Sequence, residues 1–221
     1  MSLETIQNDN SNSIENWDDL SCDMKLIRGI YSYGFEKPSP IQQKSIKPII
    51  DKKDVIAQAQ SGTGKTGCFA IASLALIDYD LDASQIIILA PTRELAQQIK
   101  KVVDNISQFL DNFSSDLLIG GISSDENIKN LKKNPKMLIG CPGRIYDMLQ
   151  RKFLSPQHIK TIIIDEADEM LSSGFKEQIY NIFQKLPSSV QVALFSATLP
   201  YEIRNLTNKF MRDPIEILVK N

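Results

Sequence analysis

Two short stretches of this chain carry side chains whose types and spacing suit phosphate chemistry. They are Ser61-Gly-Thr-Gly-Lys-Thr66 and Asp165-Glu-Ala-Asp168, the latter directly after the apolar run Ile162-Ile-Ile164. A glycine-rich turn that opens a helix offers backbone N–H groups to phosphate oxygens, with a lysine for the β/γ charge and a hydroxyl for Mg²⁺. Here Ser61, Gly62, Thr63 and Gly64 would form the cradle, Lys65 would meet the β/γ phosphates and Thr66 would ligate the metal. An acidic cluster at the end of a buried strand can hold the metal from the other side and position water. Asp165 would take that metal, usually through water, and Glu166 would orient or deprotonate the attacking water. Lys65, Thr66, Asp165 and Glu166 are thus the candidate catalytic set. The plain alternatives are a glycine turn followed by an exposed lysine, and a solvated acidic helix start. A strict phosphate-loop pattern also wants glycine where this chain has Ala59. Strand 54–58 before the turn and the apolar-faced helix through Phe69, Ile71, Leu74 and Leu76 after it favour the phosphate reading.

Other candidates have strong structural explanations. Ser39-Pro-Ile-Gln42 is a capping box with proline at the first helical position, which accounts for Gln42 without a ligand. The alternative is that the Gln42 amide reads adenine through N6 and N7 while Phe35 stacks on the base. On these residues alone the cap is favoured. Pro91-Thr-Arg-Glu-Leu-Ala96 follows a strand and opens a helix, so Thr92 can be its cap or, with Arg93, part of an anion site. Gly120-Gly121 and Cys141-Pro-Gly-Arg144 also follow strands. Singly each reads as a tight turn; together they could track a phosphate backbone. The Ser196 and Thr198 hydroxyls either cap the next helix or touch the acidic cluster. The lysines of 128–136 read as a solvated helix face.

These residues need a scaffold. Short, mostly continuous apolar runs begin near Asp54, Gln85, Leu117, Met137, Thr161, Val190 and Ile215, as expected for strands covered on both faces. Helical patterns lie between them; Leu95, Ile99, Val102, Val103, Ile106 and Leu110 share one face after Thr92, and Phe175, Ile179, Ile182 and Phe183 another. The fold class is therefore α/β, with a parallel central sheet flanked by helices on both faces and ligands at the carboxyl ends of the strands. Residues 1–16, rich in Asn, Ser and Glu, read as a disordered tail, and the globular domain runs over 17–221.

The 221 residues are 42% hydrophobic and 24% charged, with a formal net charge of −2, so any nucleic-acid binding must be local rather than global. Three separated cysteines and a single histidine argue against structural zinc and for a reducing compartment. No apolar stretch approaches ~18 residues, so no membrane span is expected, and no secretory signal pattern is present.

The ordered set of Gly34-to-Gln42, Ala59-to-Thr66, Pro91-to-Ala96, Gly120-Gly121, Pro142-to-Arg144, Asp165-to-Asp168 and Ser196-to-Thr198 closely resembles the first RecA-like domain of the DEAD-box RNA helicases. The resemblance runs from about Trp17 to the end of the chain. It implies a phosphate-loop NTPase fold in which Ala59 is the family's own residue. It implies ATP and Mg²⁺ as cofactors, with Thr66 and Asp165 at the metal and Phe35, Lys37 and Gln42 at the adenine. Pro91, Thr92, Arg93, Gly121, Pro142, Gly143 and Arg144 become contacts to the backbone of single-stranded or duplex RNA. Ser196 and Thr198 become partners of Asp168 that couple hydrolysis to strand separation. Within the family, stretches such as Ala57-Gln-Ala-Gln60 and Phe210-Met-Arg-Asp-Pro214 are most similar to the translation-initiation members. That implies a cytoplasmic protein and a translation-initiation scaffold as partner; exon-junction and ribosome-biogenesis relatives, nuclear in location, are the alternatives. Two departures stand out: Cys141 replaces the family's threonine, and Ile122-Ser123 replaces Thr-Asn.

The resemblance further implies that a second RecA-like domain supplies half the RNA groove and the arginines on the γ-phosphate. An arginine finger is worth ~10³–10⁵ in rate, so this chain is expected to be a fragment, nearly inactive alone. Two competing classes are a non-catalytic interaction module and a small-molecule kinase; no acceptor pocket or lid is recognisable for the latter.

Overall fold

Seven β-branched or leucine-rich segments form the strands, and a computed structural model describes residues 13–219. The strands are β1 (Val55–Gln58), β2 (Ile86–Leu89), β3 (Ser115–Leu118), β4 (Met137–Gly140), β5 (Thr161–Ile164), β6 (Gln191–Ser196) and β7 (Ile215–Leu218). They make one sheet in the order β3-β4-β2-β5-β6-β1-β7, every pairing parallel. Two helices, α1 (Met24–Ser32) and α2 (Pro40–Ile50), precede β1. Parallel neighbours need crossovers, which are supplied by α3 (Lys65–Leu76), α4 (Arg93–Ile106), α5 (Ser124–Leu131), α6 (Pro142–Gln150), α7 (Ala167–Ser172), α8 (Lys176–Lys185) and α9 (Tyr201–Phe210).

Alternate residues of one strand feed opposite layers. Ile86 and Ile88 join Ile163 under α1 to α4, whereas Ile87 and Leu89 join Ile162 and Ile164 under α6 to α9. This is why the central strands read as continuous apolar runs. Two polar staples fix the sheet's lower edge. The Asp54 carboxylate accepts the Val192 N–H at 2.8 Å and the Arg212 N–H at 2.6 Å. The Gln191 amide donates to the Ile49 and Lys53 carbonyls, both at 2.8 Å.

Three expectations change. Residues 1–12 of the expected tail lie outside the described residues, and the rest of that stretch packs onto the domain. Ile14 is buried and donates its N–H to Gln43 O at 3.1 Å; one apolar side chain with a groove to fill outweighs its polar neighbours. The lysine stretch is not uniformly solvated, because Lys136 is buried with Nζ donating to the Leu81 carbonyl at 2.6 Å. The helix after Thr92 stops at Ile106, so Leu110 packs from the following turn.

The sheet order divides the candidate residues. The phosphate loop, the Ser196-to-Thr198 turn and the acidic cluster follow β1, β6 and β5, which are adjacent. The three basic or glycine turns follow β2, β4 and β3, also adjacent. Nucleotide-type and backbone-type chemistry are thereby set side by side along one edge.

Candidate functional site

The loop after β1 turns sharply because Gly62 and Gly64 take left-handed φ values of 82° and 98°. At Gly64 a side chain would also collide, since its Cβ would lie 2.7 Å from Ser39 Oγ and 3.0 Å from Gln42 Nε2. That crowding comes from direct hydrogen bonding. Ser39 Oγ donates to Thr63 O at 2.9 Å and Gln42 Nε2 donates to Gly64 O at 3.1 Å, so the start of α2 holds the loop by two of its carbonyls. Ser39 and Gln42 also form the expected capping box, with the Ser39 N–H donating to Gln42 Oε1 at 2.7 Å. The structure thus realises the cap and adds a tie to the phosphate loop. Phe35 lies over α3 with its ring where a Cβ on Gly67 would be, and the buried Trp17 anchors it by donating Nε1–H to Phe35 O at 2.9 Å. Lys37, Ser61 and Gly62 are exposed, while Thr63 and Thr66 are half-buried.

Lys65 is 5% exposed and its Nζ lies 2.9 Å from Glu166 Oε1, which brings the loop and the acidic cluster into direct contact. The acidic cluster is no solvated helix start. Asp165 is 2% exposed, and burial pushes its carboxyl up to about 7, with Lys65 opposing and Glu166 reinforcing the shift. Asp165 accepts the Glu166 N–H at 3.0 Å, and Glu166 itself sits at a left-handed φ of 48°. Such backbone in a non-glycine residue costs on the order of 1–3 kcal/mol and gathers at functional sites.

Asp168 faces the turn after β6. Its Oδ2 accepts from Thr198 N at 2.9 Å and Thr198 Oγ1 at 2.7 Å, and its own N–H donates to Ser196 Oγ at 3.2 Å. Burial would raise its pKa, but the Thr198 and Ser196 hydrogen bonds outweigh burial and hold it below the ordinary carboxylate value. Of the two readings left open for Ser196 and Thr198, contact with the acidic cluster is the one realised.

On the other half of the edge, Pro91, Thr92, Arg93, Gly120, Cys141, Gly143 and Arg144 line one open cleft of about 570 Å³. Thr92 caps α4, accepting the Leu95 N–H at 3.2 Å. The Arg93 guanidinium lies across the glycine pair: a Cβ on Gly120 would fall 2.6 Å from Arg93 Nη2. Gly121 takes φ 93°, and Pro142 is the buried first residue of α6. Arg144 Nη1 donates to Ile122 O at 2.9 Å and to Asn127 Oδ1. Ser123 caps α5 through Glu126 N at 3.1 Å, so that turn is stable with Ile122-Ser123 in it. Burial raises the Cys141 thiol's pKa, with Arg93 opposing. Sequence reasoning missed Asn127, and it placed Ser39 in the helix cap without its tie to the Thr63 carbonyl. The available signal for Asn127 was an amide four residues before Leu131, on the apolar stripe of a short helix.

The family model for DEAD/DEAH box helicases matches residues 39–206. The chain is 52% identical to a Phaeosphaeria nodorum protein, and 53% identical to a Neurospora crassa protein, each described as ATP-dependent RNA helicase eIF4A. Each match covers 97% of this chain and 54% of the relative, so the chain spans about half the length of these curated relatives. A DEAD box protein from Methanococcus jannaschii has a similar structure, with a TM-score of 0.88 at 37% identity over 93% of this chain and 56% of that one. A Saccharomyces cerevisiae Dbp5 variant, solved bound to a Gle1 variant and IP6, gives 0.86 at 33% identity over 94% of this chain and 54% of that one.

Proposed function

The chain belongs to the DEAD/DEAH box helicase family, and on that premise we propose that it is the ATP- and RNA-binding half of an ATP-dependent RNA helicase acting in translation initiation. The observation that carries the reading is the convergence of Lys65, Glu166 and the buried Asp165 at the ends of β1 and β5. A triphosphate entering the loop takes Lys65 from Glu166 and meets the N–H groups at the start of α3. Glu166, relieved of its cation, then orients water or takes its proton. Phe35 and the remaining hydrogen-bonding capacity of the Gln42 amide hold the adenine, with Lys37 at the exposed rim.

The donor set fits Mg²⁺. Asp165 is a buried carboxylate whose ionisation is disfavoured until a cation arrives. Thr66 offers a hydroxyl, and Mg²⁺ sites commonly combine one or two protein oxygens with phosphate oxygens and water. When bound, the ion neutralises phosphate charge in the transition state.

RNA lies along the cleft of Thr92, Arg93, Gly143 and Arg144, contacted through its backbone, with Gly121 in the turn beside Arg93 and Pro91 and Pro142 shaping the other turns. Asp168, Ser196 and Thr198 connect that groove's opening to hydrolysis. The remaining half of the RNA groove and the γ-phosphate arginines come from a second RecA-like domain. A cytoplasmic site of action and an initiation scaffold as partner belong to the same reading. ATP turnover of the full-length protein, measured with and without single-stranded RNA, tests it. Stimulation by RNA is expected; turnover indifferent to RNA would overturn it.

A further inference from the structure

We propose that Asn127 is a positioning residue that holds Arg144 as an uncompensated cation for the RNA backbone; the inference rests on the RNA-binding reading above. Asn127 is completely buried on α5, an uncommon place for an amide unless every group is used. Its Nδ2 donates to the Leu117 carbonyl at 3.0 Å, at the end of edge strand β3, which turns Oδ1 toward Arg144. Arg144 Nη1 donates to that oxygen and to the Ile122 carbonyl at 2.9 Å. Asn127 thus ties α5 to β3 and, through Arg144, to α6, while Arg144 reaches on to the turn after the glycine pair.

Both acceptors are neutral. A carboxylate at position 127 could take the same N–H but would cancel the guanidinium charge. The cleft's own carboxylates do not do so. Glu94 and Asp147 line it; Asp147 pairs with Arg151 at 3.3 Å, and among the described residues neither these nor any other carboxylate forms an ion pair with Arg144. Guanidinium carries five N–H donors, and these two bonds occupy a single nitrogen, so donors remain for a phosphate in the cleft. Asn127 therefore does two separable things: it fixes where the arginine sits and it leaves the charge intact. In a chain of net charge −2, each local cation counts for polyanion affinity.

The test is binding of an oligo(U) strand to the full-length protein, with a non-hydrolysable ATP analogue, across a salt series. Asn127→Asp should bind about tenfold more weakly at low salt, and its plot of log affinity against log salt should be shallower by about 0.7, the value of one phosphate contact on a single strand. Asn127→Ser should lose affinity severalfold with the slope unchanged, because position is lost but charge is kept. In an Arg144→Ala background Asn127→Asp should add no further loss. A wild-type slope for Asn127→Asp, or wild-type affinity for Asn127→Ser, overturns the proposal. If Arg144→Ala alone flattens the slope while Asn127→Asp does not, the role of Asn127 falls and the RNA reading stands. Absence of salt-dependent RNA binding in the unaltered protein would remove both.

Discussion

Lys65 Nζ and Glu166 Oε1 meet at 2.9 Å, the one side chain 5% and the other 20% exposed. The cation suited to a triphosphate is held by the carboxylate suited to activate water, and neither can do both. Under the proposed function, nucleotide binding exchanges one ionic partner for another. Lys65→Ala should weaken ATP by about 10- to 150-fold, as hydrogen bonds to charged groups contribute ~1.5–3 kcal/mol. Titration with a fluorescent ATP analogue checks this.

Asp165 makes the nucleotide-free protein pH-sensitive in an unusual direction. Its carboxyl ionises near 3.8 when unfolded but at about 7 when folded. The folded state binds the extra proton between those values, so stability falls as pH rises through that window. In chelator-containing buffer the unfolding midpoint should decline from about pH 4 to about pH 7. Asp165→Asn should flatten the decline, gain several degrees at pH 8 and lose Mg²⁺-dependent ATP binding. A pH profile identical to wild type would contradict the burial argument.

Gln42 joins helix start to phosphate loop through Ser39 N and Gly64 O. Gln42→Ala should cost about 1–3 kcal/mol of stability, because two polar backbone groups lose their partner. If the amide also reads adenine, ATP affinity should fall more than GTP affinity. An equal loss for both nucleotides would confine Gln42 to the cap and loop tie.

Thr198 supplies two of the hydrogen bonds on the Asp168 carboxylate. Thr198→Ala removes the shorter one, at 2.7 Å. RNA-stimulated ATP turnover should stay within about threefold of wild type, while duplex separation should fall tenfold or more, the change expected from a charge-assisted bond of ~1.5–3 kcal/mol. Parallel loss of both activities would place Thr198 in hydrolysis rather than in coupling.

Sequence alone made much of this legible, for reasons that can be traced. Ile86 to Leu89 and Ile162 to Ile164 are covered on both faces, so their apolar runs signalled a parallel sheet. Edge strand β3 was less visible, because it begins at the half-buried Ser115 and Asp116, which carry no apolar signal. Ile14 was lost in a polar tail because its groove exists only after α2 is placed. The two chemical stretches were found because their residues are consecutive. Partnerships across the fold were not: Arg144 with Asn127, and Gln42 with the Gly64 carbonyl, depend on acceptors distant in sequence that only the packing of α5 and α2 brings near. Local pattern names which groups are present; tertiary structure decides which lone pairs they use.

The central claim is that Glu166 activates water at a phosphate held by Lys65. It is tested most directly by Glu166→Gln in the full-length protein, comparing ATP affinity with RNA-stimulated turnover. Removing the carboxylate charge releases Lys65 from its ion pair and eliminates the base at the same time. ATP should bind at least as tightly as to wild type, and turnover should fall by about 10²–10⁴, the usual worth of general acid–base catalysis. Unchanged turnover would contradict the account.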